Sequence, residues 1–324
     1  MSLVLVTGAT GFIGRSLIAQ LAGQRDVTAI AGVRTQMQPS GLGGHRDSIV
    51  IDLNDPESIA SAQLHGISCI IHLAAQVHIR NPNAELLASY VTRNVTATEQ
   101  LARAAVKCGV RRFVFLSSIK VHGDKTVERP FRFDDTPSPT DAYGQSKLAA
   151  EQALWHVASG SGLEVTVVRP PLVYGPGVRA NFLSLMRWIE RGLPLPLGAI
   201  NNRRSLVSVW NLCDLLAKLV NNPIASGRTW LVSDDDDLST PDLARRIGMA
   251  MGKRVKLPSI PVGVLRIAGL LTARGSQVSR LCDSLSVDIT QTRKDLGWAP
   301  AMTSDEALVR TVDWYMSDGR LRAT

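Results

Sequence analysis

Val4-Leu5-Val6-Thr7-Gly8-Ala9-Thr10-Gly11-Phe12-Ile13-Gly14 is the stretch on which the fold turns. The apolar run Leu3–Thr7 reads as a buried strand, and the residues after Gly11 read as the start of a helix. Glycines 8, 11 and 14 permit a tight turn in which a pyrophosphate can reach backbone N–H groups. The helix behind them adds its positive N-terminal end. Gly14 lets that helix pack closely on the strand. A glycine triplet alone also suits a plain turn, and this spacing is Gly-x-x-Gly-x-x-Gly rather than Gly-x-Gly-x-x-Gly. Its position at the first strand-to-helix junction selects the dinucleotide reading, with Gly8, Thr10, Gly11, Phe12, Ile13 and Gly14 as the binding loop.

Outward from this loop, short apolar runs alternate with helical patterns. Strands are expected at Leu3–Thr7, Val27–Val33, Ile49–Asp52, Cys69–Leu73, Phe113–Ser117 and Val165–Arg169. The clearest helix runs from about Ala84 to Cys108 and stops at Gly109. Nearly continuous apolar strands alternating with helices predict a parallel α/β sheet, doubly wound, with both faces covered. After Pro170 the pattern loosens. A strand containing Trp230 is expected to return to the sheet, and helices are expected near 240–252, 261–272 and 304–316. This divides the chain into a Rossmann domain over 1–170, with returning segments near 205–234, and a smaller substrate-binding lobe over 171–324.

The chain has 324 residues, 45% of them hydrophobic and 20% charged, as expected for a soluble globular protein. No apolar run reaches the ~20 residues that span a bilayer. The N-terminus, broken by glycines and without a basic leader, reads as strand and helix, not as a signal peptide. Cys69, Cys108, Cys213 and Cys282 lack paired spacing, which argues against a disulfide frame or zinc site and for a reducing, cytoplasmic location. The formal charge of +8 is dispersed, so it reads mainly as solvated surface. A polyphosphate ligand or a membrane-surface encounter is the alternative; nucleic acid and stable membrane insertion are not expected. The acidic run Asp234–Asp237 reads as a solvated turn, and no metal is expected.

The second strand bears on the ribose. It ends Ile30-Ala31-Gly32-Val33-Arg34 without the carboxylate that favours the free 2′-hydroxyl of NAD. Arg34 stands where a guanidinium can pair with the 2′-phosphate of NADP, so NADP is preferred and NAD is the alternative. An exposed loop arginine is the plainer reading of the same residue. Asp52, with Leu53 beside it, either accepts from the adenine amino group or caps a helix beginning near Asn54.

Tyr143-Gly144-Gln145-Ser146-Lys147 opens a helix, and its Tyr and Lys, four apart, share one face. A phenol needs help near neutral pH, because its reference pKa is about 10. A neighbouring ammonium favours the phenolate. Ser118 follows the strand at Phe113–Ser117, 25 residues before Tyr143, and its hydroxyl can bind the oxygen that Tyr143 protonates. Tyr-x-x-x-Lys is common by chance on helix surfaces. Its conjunction with the glycine loop and Ser118 gives it weight.

Together these pieces resemble the extended short-chain dehydrogenases/reductases, the NAD-dependent epimerase/dehydratase family, over nearly the whole chain. Gly8/Gly11/Gly14, Ile71-His72-Leu73-Ala74-Ala75, Asn94, Ser117-Ser118, Tyr143/Lys147 and Arg169-Pro170 carry the resemblance. It implies that Leu73, Ala74, Ala75 and Pro170 line the cofactor together with Tyr143 and Lys147. It also implies catalysis by Ser118, Tyr143 and Lys147, a nucleotide-sugar substrate, and a homodimer through two helices. Asn94 either shapes the site or is an inert amide. His72 reads as a core histidine, His78 as a loop residue, and His122, where relatives carry tyrosine, is given no chemistry.

The downstream resemblance is to nucleotide-sugar enzymes. Asn181 matches an asparagine set against the diphosphate, and Arg204 an arginine that grips a phosphate. Sugar 4,6-dehydratases carry Asp-Glu after the catalytic hydroxyl residue; here those positions are Ile119 and Lys120, which argues against water elimination. Ser118–Val121, Asn202–Val207 and Ser284–Asp288 resemble bacterial reductases that make UDP-N-acetylquinovosamine for surface polysaccharides such as O-antigen. Galactose epimerases often place a bulky tyrosine near the Leu285–Ser286 position, and by that resemblance its absence here would leave room for an N-acetyl group. NAD(P)H-dependent reduction of a UDP-4-keto-6-deoxy-N-acetylhexosamine is therefore expected. A UDP-hexose or UDP-N-acetylhexosamine 4-epimerase with bound NAD is the alternative. A dinucleotide-sensing regulator and a steroid- or flavonoid-type reductase share the fold but have no need of the intact Tyr143/Lys147 pair and of Arg204, respectively.

Overall fold

Seven runs of mainly aliphatic and β-branched residues lie side by side as parallel strands in the computed structural model, which describes residues 1–35, 48–75, 88, 91–272 and 275–319. They are β1 (Ser2–Thr7), β2 (Val27–Val33), β3 (Ser48–Val50), β4 (Cys69–His72), β5 (Arg112–Leu116), β6 (Glu164–Arg169) and β9 (Arg228–Leu231). Their order is β3-β2-β1-β4-β5-β6-β9. Such strands are buried on both faces, which is why β4 and β5 carry no exposed residue. The Trp230 strand does return, at the sheet edge beside β6.

One face is packed by α1 (Phe12–Ala22) and α6 (Val209–Leu219), through Leu17, Leu21, Leu212 and Leu216. The other is packed by α2 (Pro56–Ser61), α3 (Ala97–Lys107) and α4 (Ala142–Ser159), through Ile59, Leu101, Ala105 and Leu154. A π-helix, Val91–Thr96, leads into α3, and Gly109 turns the chain out at its end with φ +73. A short parallel pair, β7 (Leu172–Tyr174) with β8 (Leu206–Ser208), starts the second layer. Around it pack α5 (Ala180–Glu190), α7 (Thr240–Ala250) and α11 (Ser304–Trp314), which share a core of Phe182, Met186, Ile247 and Leu308. Two further helices, α8 (Val262–Leu271) and α9 (Gly275–Cys282), and α10 (Thr290–Leu296) complete the chain.

Strand order reverses between β1 and β4, whose partners diverge from Thr7, paired with Gly32 on one side and His72 on the other. A crevice at such a switch point, beyond the carboxyl ends of the strands, is where open α/β sheets bind ligands.

Two expectations are corrected. Asp52 does not cap the following helix. It accepts from Asn54 N and Nδ2 in a turn, each at 2.9 Å, and the cap is Asp55, three residues on. The acidic run is not a solvated turn. Asp234 is 6% exposed and accepts from Tyr174 Oη at 2.7 Å, Asn211 Nδ2 at 2.7 Å and Ser208 N at 2.9 Å. Asp236 takes Arg246, and Asp237 takes Ser205. Burial pushes the Asp234 carboxyl up from the usual range, against the pull of those hydrogen bonds. Tyr174, Ser208 and Asn211 on three separate elements converge on this one side chain, which joins the sheet to the second layer.

Removing that side chain would strand three buried donors. Asp234→Ala should cost about 3 kcal/mol of stability in urea unfolding, and Asp234→Asn less. A loss under about 0.5 kcal/mol, the size of an ordinary surface substitution, would show that the hub is unimportant.

Candidate active site

The glycine loop sits at the switch point. Gly11 N donates to Gly8 O at 2.9 Å, closing the turn. A Cβ at Gly14 would stand 2.1 Å from Gly8 O, and one at Gly8 2.9 Å from Ala74 N, so glycine is required for the chain to pass so closely. Helix α1 has Gly11 as its N-cap and no side chain capping it, so its first N–H groups remain for a ligand's phosphates. Phe12 and Ile13 pack half-buried behind the loop, while Thr10 is exposed in front of it. Leu73 N bonds Thr7 O at 3.3 Å, which brings Leu73, Ala74 and Ala75 to the same crevice. Arg34 is exposed at the end of β2, and Asp52 and Leu53 follow β3. These features fit a dinucleotide: a glycine cradle, an open helix end and a crevice at the strand ends.

Ser118 and Tyr143 are held by the approach of two elements. Ser118 caps the single 3₁₀ turn Ile119–Val121, accepting from Lys120 N at 3.3 Å. Ile119 N bonds Pro170 O at 2.9 Å, fixing that turn at the end of β6. Tyr143 is the second residue of α4, whose N-cap Asp141 accepts from Gly144 N at 2.8 Å. Lys120 Nζ bridges Asp141 and Asp124, tying the serine turn to the cap of the tyrosine helix. A Cβ at Gly144 would stand 2.6 Å from Lys120 O, so the closeness of the two elements depends on that glycine. Ile119, which is buried, and Lys120, which is engaged in these ion pairs, carry no carboxylate for elimination.

Lys147 lies one turn below Tyr143 and is 2% exposed. Its Nζ donates to Leu116 O at 2.8 Å and lies 4.4 Å from the centroid of the Phe115 ring. Burial pushes its pKa down from 10.5 to about 7, while the Glu151 carboxylate one turn further pulls it back up. Glu151 accepts from Ser117 Oγ and from Arg169 Nε at 3.0 Å and Nη2 at 2.5 Å. Arg169 Nη1 then reaches His122 Nε2 at 2.7 Å. Because a guanidinium only donates, this places the imidazole proton on Nδ1, which has no partner among the described residues. Burial, and then the Arg169 charge, push His122 down to about 4. Sequence reasoning misses Glu151 and the role of Arg169; the available signal is a Glu four residues after Lys147.

Asn94, in the π-helix, donates to Ser146 Oγ at 3.1 Å, and Ser146 Oγ donates to Tyr143 O at 2.9 Å. It therefore braces the first turn of α4. His72 is a core residue, bonded to Thr7 at 2.7 Å and Thr98 at 3.1 Å, and burial pushes it down to about 3. His78 lies outside the described residues. Asn181 is exposed in the first turn of α5. Arg204 Nη1 donates to Arg280 O at 2.8 Å and Asp283 O at 3.0 Å, closing the end of α9. The motifs around it meet directly: Ser205 N bonds Leu285 O and Leu285 N bonds Arg203 O, each at 2.9 Å. Phe131 N bonds Ser286 O at 2.8 Å on the other side. Among the described residues no group of three or more His, Cys, Asp or Glu could hold a metal.

Residues 4–233 match the model of the NAD dependent epimerase/dehydratase family. The chain is 37% identical over 318 residues to a UDP-glucose 4-epimerase of Vibrio cholerae, covering 97% of this chain and 95% of that protein. It is 25% identical to the N-acetyl-alpha-D-glucosaminyl-diphospho-ditrans,octacis-undecaprenol 4-epimerase of Escherichia coli O157:H7, covering 96% and 94% of the two chains. Its fold superposes on UDP-glucuronic acid 4-epimerase from Bacillus cereus, solved with NAD, with a TM-score of 0.77 at 20% identity over 97% of this chain and 98% of that one. At that identity the likeness establishes the parallel doubly wound fold.

Burying the Lys147 ammonium costs stability that methionine would not. In the cofactor-free protein Lys147→Met should raise stability by ~1–4 kcal/mol near pH 6.5. Folded Lys147 titrates near 7 and unfolded lysine near 10.5, so the unfolded state holds more protons between them. The wild type therefore gains on the variant as pH rises from 7 toward 10, and the difference between their melting curves should narrow. A difference independent of pH would show that Lys147 keeps its ordinary pKa.

Proposed function

This chain belongs to the NAD dependent epimerase/dehydratase family, and we propose that it transfers hydride at C4 of a UDP-linked sugar, in the direction of net reduction. The observation that carries the direction of this reading is the end of β2, where Arg34 is exposed and no acidic residue stands; the two residues after Ser118 argue separately against water elimination. Ile119, which is buried, and Lys120, which is paired with Asp141 and Asp124, carry no carboxylate for elimination, which leaves hydride and proton transfer. The substrate that suits it is a UDP-4-keto-6-deoxy-N-acetylhexosamine.

The glycine loop, Leu73–Ala75 and Pro170 would hold the dinucleotide, with Asp52 and Leu53 toward its adenosine. When bound, the nicotinamide supplies the hydride. Tyr143 delivers a proton to the C4 oxygen as that carbon becomes tetrahedral. Lys147 favours the phenolate that results and holds the nicotinamide ribose. Ser118 donates to the same carbonyl oxygen and orients it. Asn181 and Arg204 would contact the diphosphate, Arg204 with the nitrogens not engaged by Arg280 and Asp283. The absence of an acidic residue at the end of β2, with Arg34 exposed there, supports NADPH and hence an exchangeable reductant.

The Vibrio cholerae relative favours a second reading: a UDP-sugar 4-epimerase in which the same three residues act and the dinucleotide is retained. The two differ in cofactor stoichiometry. The purified protein given NADPH and the 4-keto sugar should lose nicotinamide absorbance in proportion to product. Equilibration of UDP-N-acetylglucosamine with its C4 epimer, without added reductant, would establish the epimerase instead.

Tyr143→Phe should lower turnover by at least ~10²-fold with dinucleotide affinity kept; near-normal turnover would remove Tyr143 from the mechanism. Arg34→Ala should weaken NADPH by ~10- to 100-fold and leave NADH nearly unchanged. Equal losses for both cofactors would show that Arg34 does not meet the 2′-phosphate.

A further inference from the structure

The chain has 36 Lys and Arg against 28 Asp and Glu, dispersed along its length, and one stretch is free of acidic residues. From Leu243 to Cys282 there are eight basic residues and no acidic one; Arg245, Arg246 and Arg266 pair with acids outside that stretch, while Arg254, Lys256 and Arg280 are exposed. The same stretch holds the most exposed apolar helix among the described residues. Helix α8 reads Val-Gly-Val-Leu-Arg-Ile-Ala-Gly-Leu-Leu and is apolar but for Arg266. Val262 and Leu265 pack inward on the second layer, and Gly269 is buried. Val264, Ile267, Ala268 and Leu271 form the outward stripe at i, i+3, i+4 and i+7. Val264 is 54% exposed, Ile267 60%, Leu270 75% and Leu271 83%. An outward stripe on a helix of a water-soluble domain is ordinarily polar, and a contiguous apolar one marks a contact surface.

We propose that α8 is a docking surface for anionic membrane, with its outward stripe entering the headgroup region. Basic residues surround it. Arg254 and Lys256 are exposed on the segment that leads into α8, whose alternate residues Val255 and Leu257 pack inward. That segment is held in place by Leu195 N to Lys256 O at 2.9 Å and Gly198 N to Pro258 O at 3.1 Å. Arg280 is exposed on α9, which packs against α8, whereas Arg266, on the helix itself, is paired with Asp283 at 2.8 Å. An apolar stripe flanked by Lys and Arg is the pattern of a helix that lies in the interface plane. At 10 residues α8 is half the ~20 needed to span, so it rests on the bilayer and does not cross it. A second copy of this chain suits the surface poorly. A twofold contact would set the same patch against itself, placing basic against basic. An anionic bilayer meets it with the opposite charge.

The surface belongs to the proposed substrate lobe, in which Arg204 closes the end of α9 through Arg280 O and Asp283 O. The inference itself does not depend on the substrate or reaction proposed above.

The test is co-sedimentation of the whole protein with vesicles of phosphatidylcholine alone and with vesicles about one third phosphatidylglycerol. The wild type should bind the anionic vesicles, bind the neutral ones far less, and be released as salt rises. Ile267→Glu with Leu271→Glu, and separately Arg254→Glu with Lys256→Glu, should each weaken binding roughly tenfold or more. These side chains are on the surface, so melting temperature and turnover of soluble substrate should stay as in the wild type. The proposal is overturned if the wild type fails to bind anionic vesicles, or if either pair of substitutions leaves binding intact. It is overturned equally if the wild type sediments as a dimer that Ile267→Glu dissociates, since a second copy would then cover the stripe.

Discussion

The buried ion pair between Glu151 on α4 and Arg169 on β6 is the interaction on which the site depends. Both side chains are within 7% of complete burial, and the pair is closed by two hydrogen bonds. A buried pair of this kind is not a source of much net stability, because desolvation offsets much of the attraction. Its effect here is on position. Glu151 also takes Ser117, the residue before Ser118, and its charge reaches Lys147 one turn up the helix. Strand β5, helix α4 and strand β6 are thereby held in one register. Lys120 and Asp141 then tie the turn that starts at Ser118 to the helix that carries Tyr143. Asn94 braces the same helix from the opposite side through Ser146.

Much of this is legible in the sequence because it is local. The loop from Gly8 to Gly14 announces a strand, a turn and a helix within a few residues, and β2 is found at the expected Val27–Val33. The six expected strands of the first half all occur, with ends displaced by one or two residues. The helices expected near 240–252, 261–272 and 304–316 are Thr240–Ala250, Val262–Leu271 and Ser304–Trp314. The Tyr143/Lys147 spacing places both residues on one face, and the helix obliges.

Whatever rests on long-range pairing is not legible in this way. Asp234 looks solvated in a run of four acids, yet partners from residues 174, 208 and 211 bury it. Asp55 takes the cap expected of Asp52, because Pro56 starts the helix two residues late. Arg204 and Ser284–Asp288 are separate motifs in the sequence, and their direct pairing across some 80 positions is visible only in three dimensions. Glu151, His122 and Arg169 are far apart in sequence and unremarkable in composition, and their linkage is a property of the packed sheet.

In the proposed reaction this constellation delivers one hydride and one proton to C4 and consumes its reductant in doing so. The direct measurement uses NADPH carrying deuterium at the transferred position, mixed with the protein and a UDP-4-keto-6-deoxy-N-acetylhexosamine. Mass spectrometry and proton NMR of the product should find one deuterium at C4 for each dinucleotide oxidised. A product without deuterium, formed while the reductant remains unconsumed, would contradict the account.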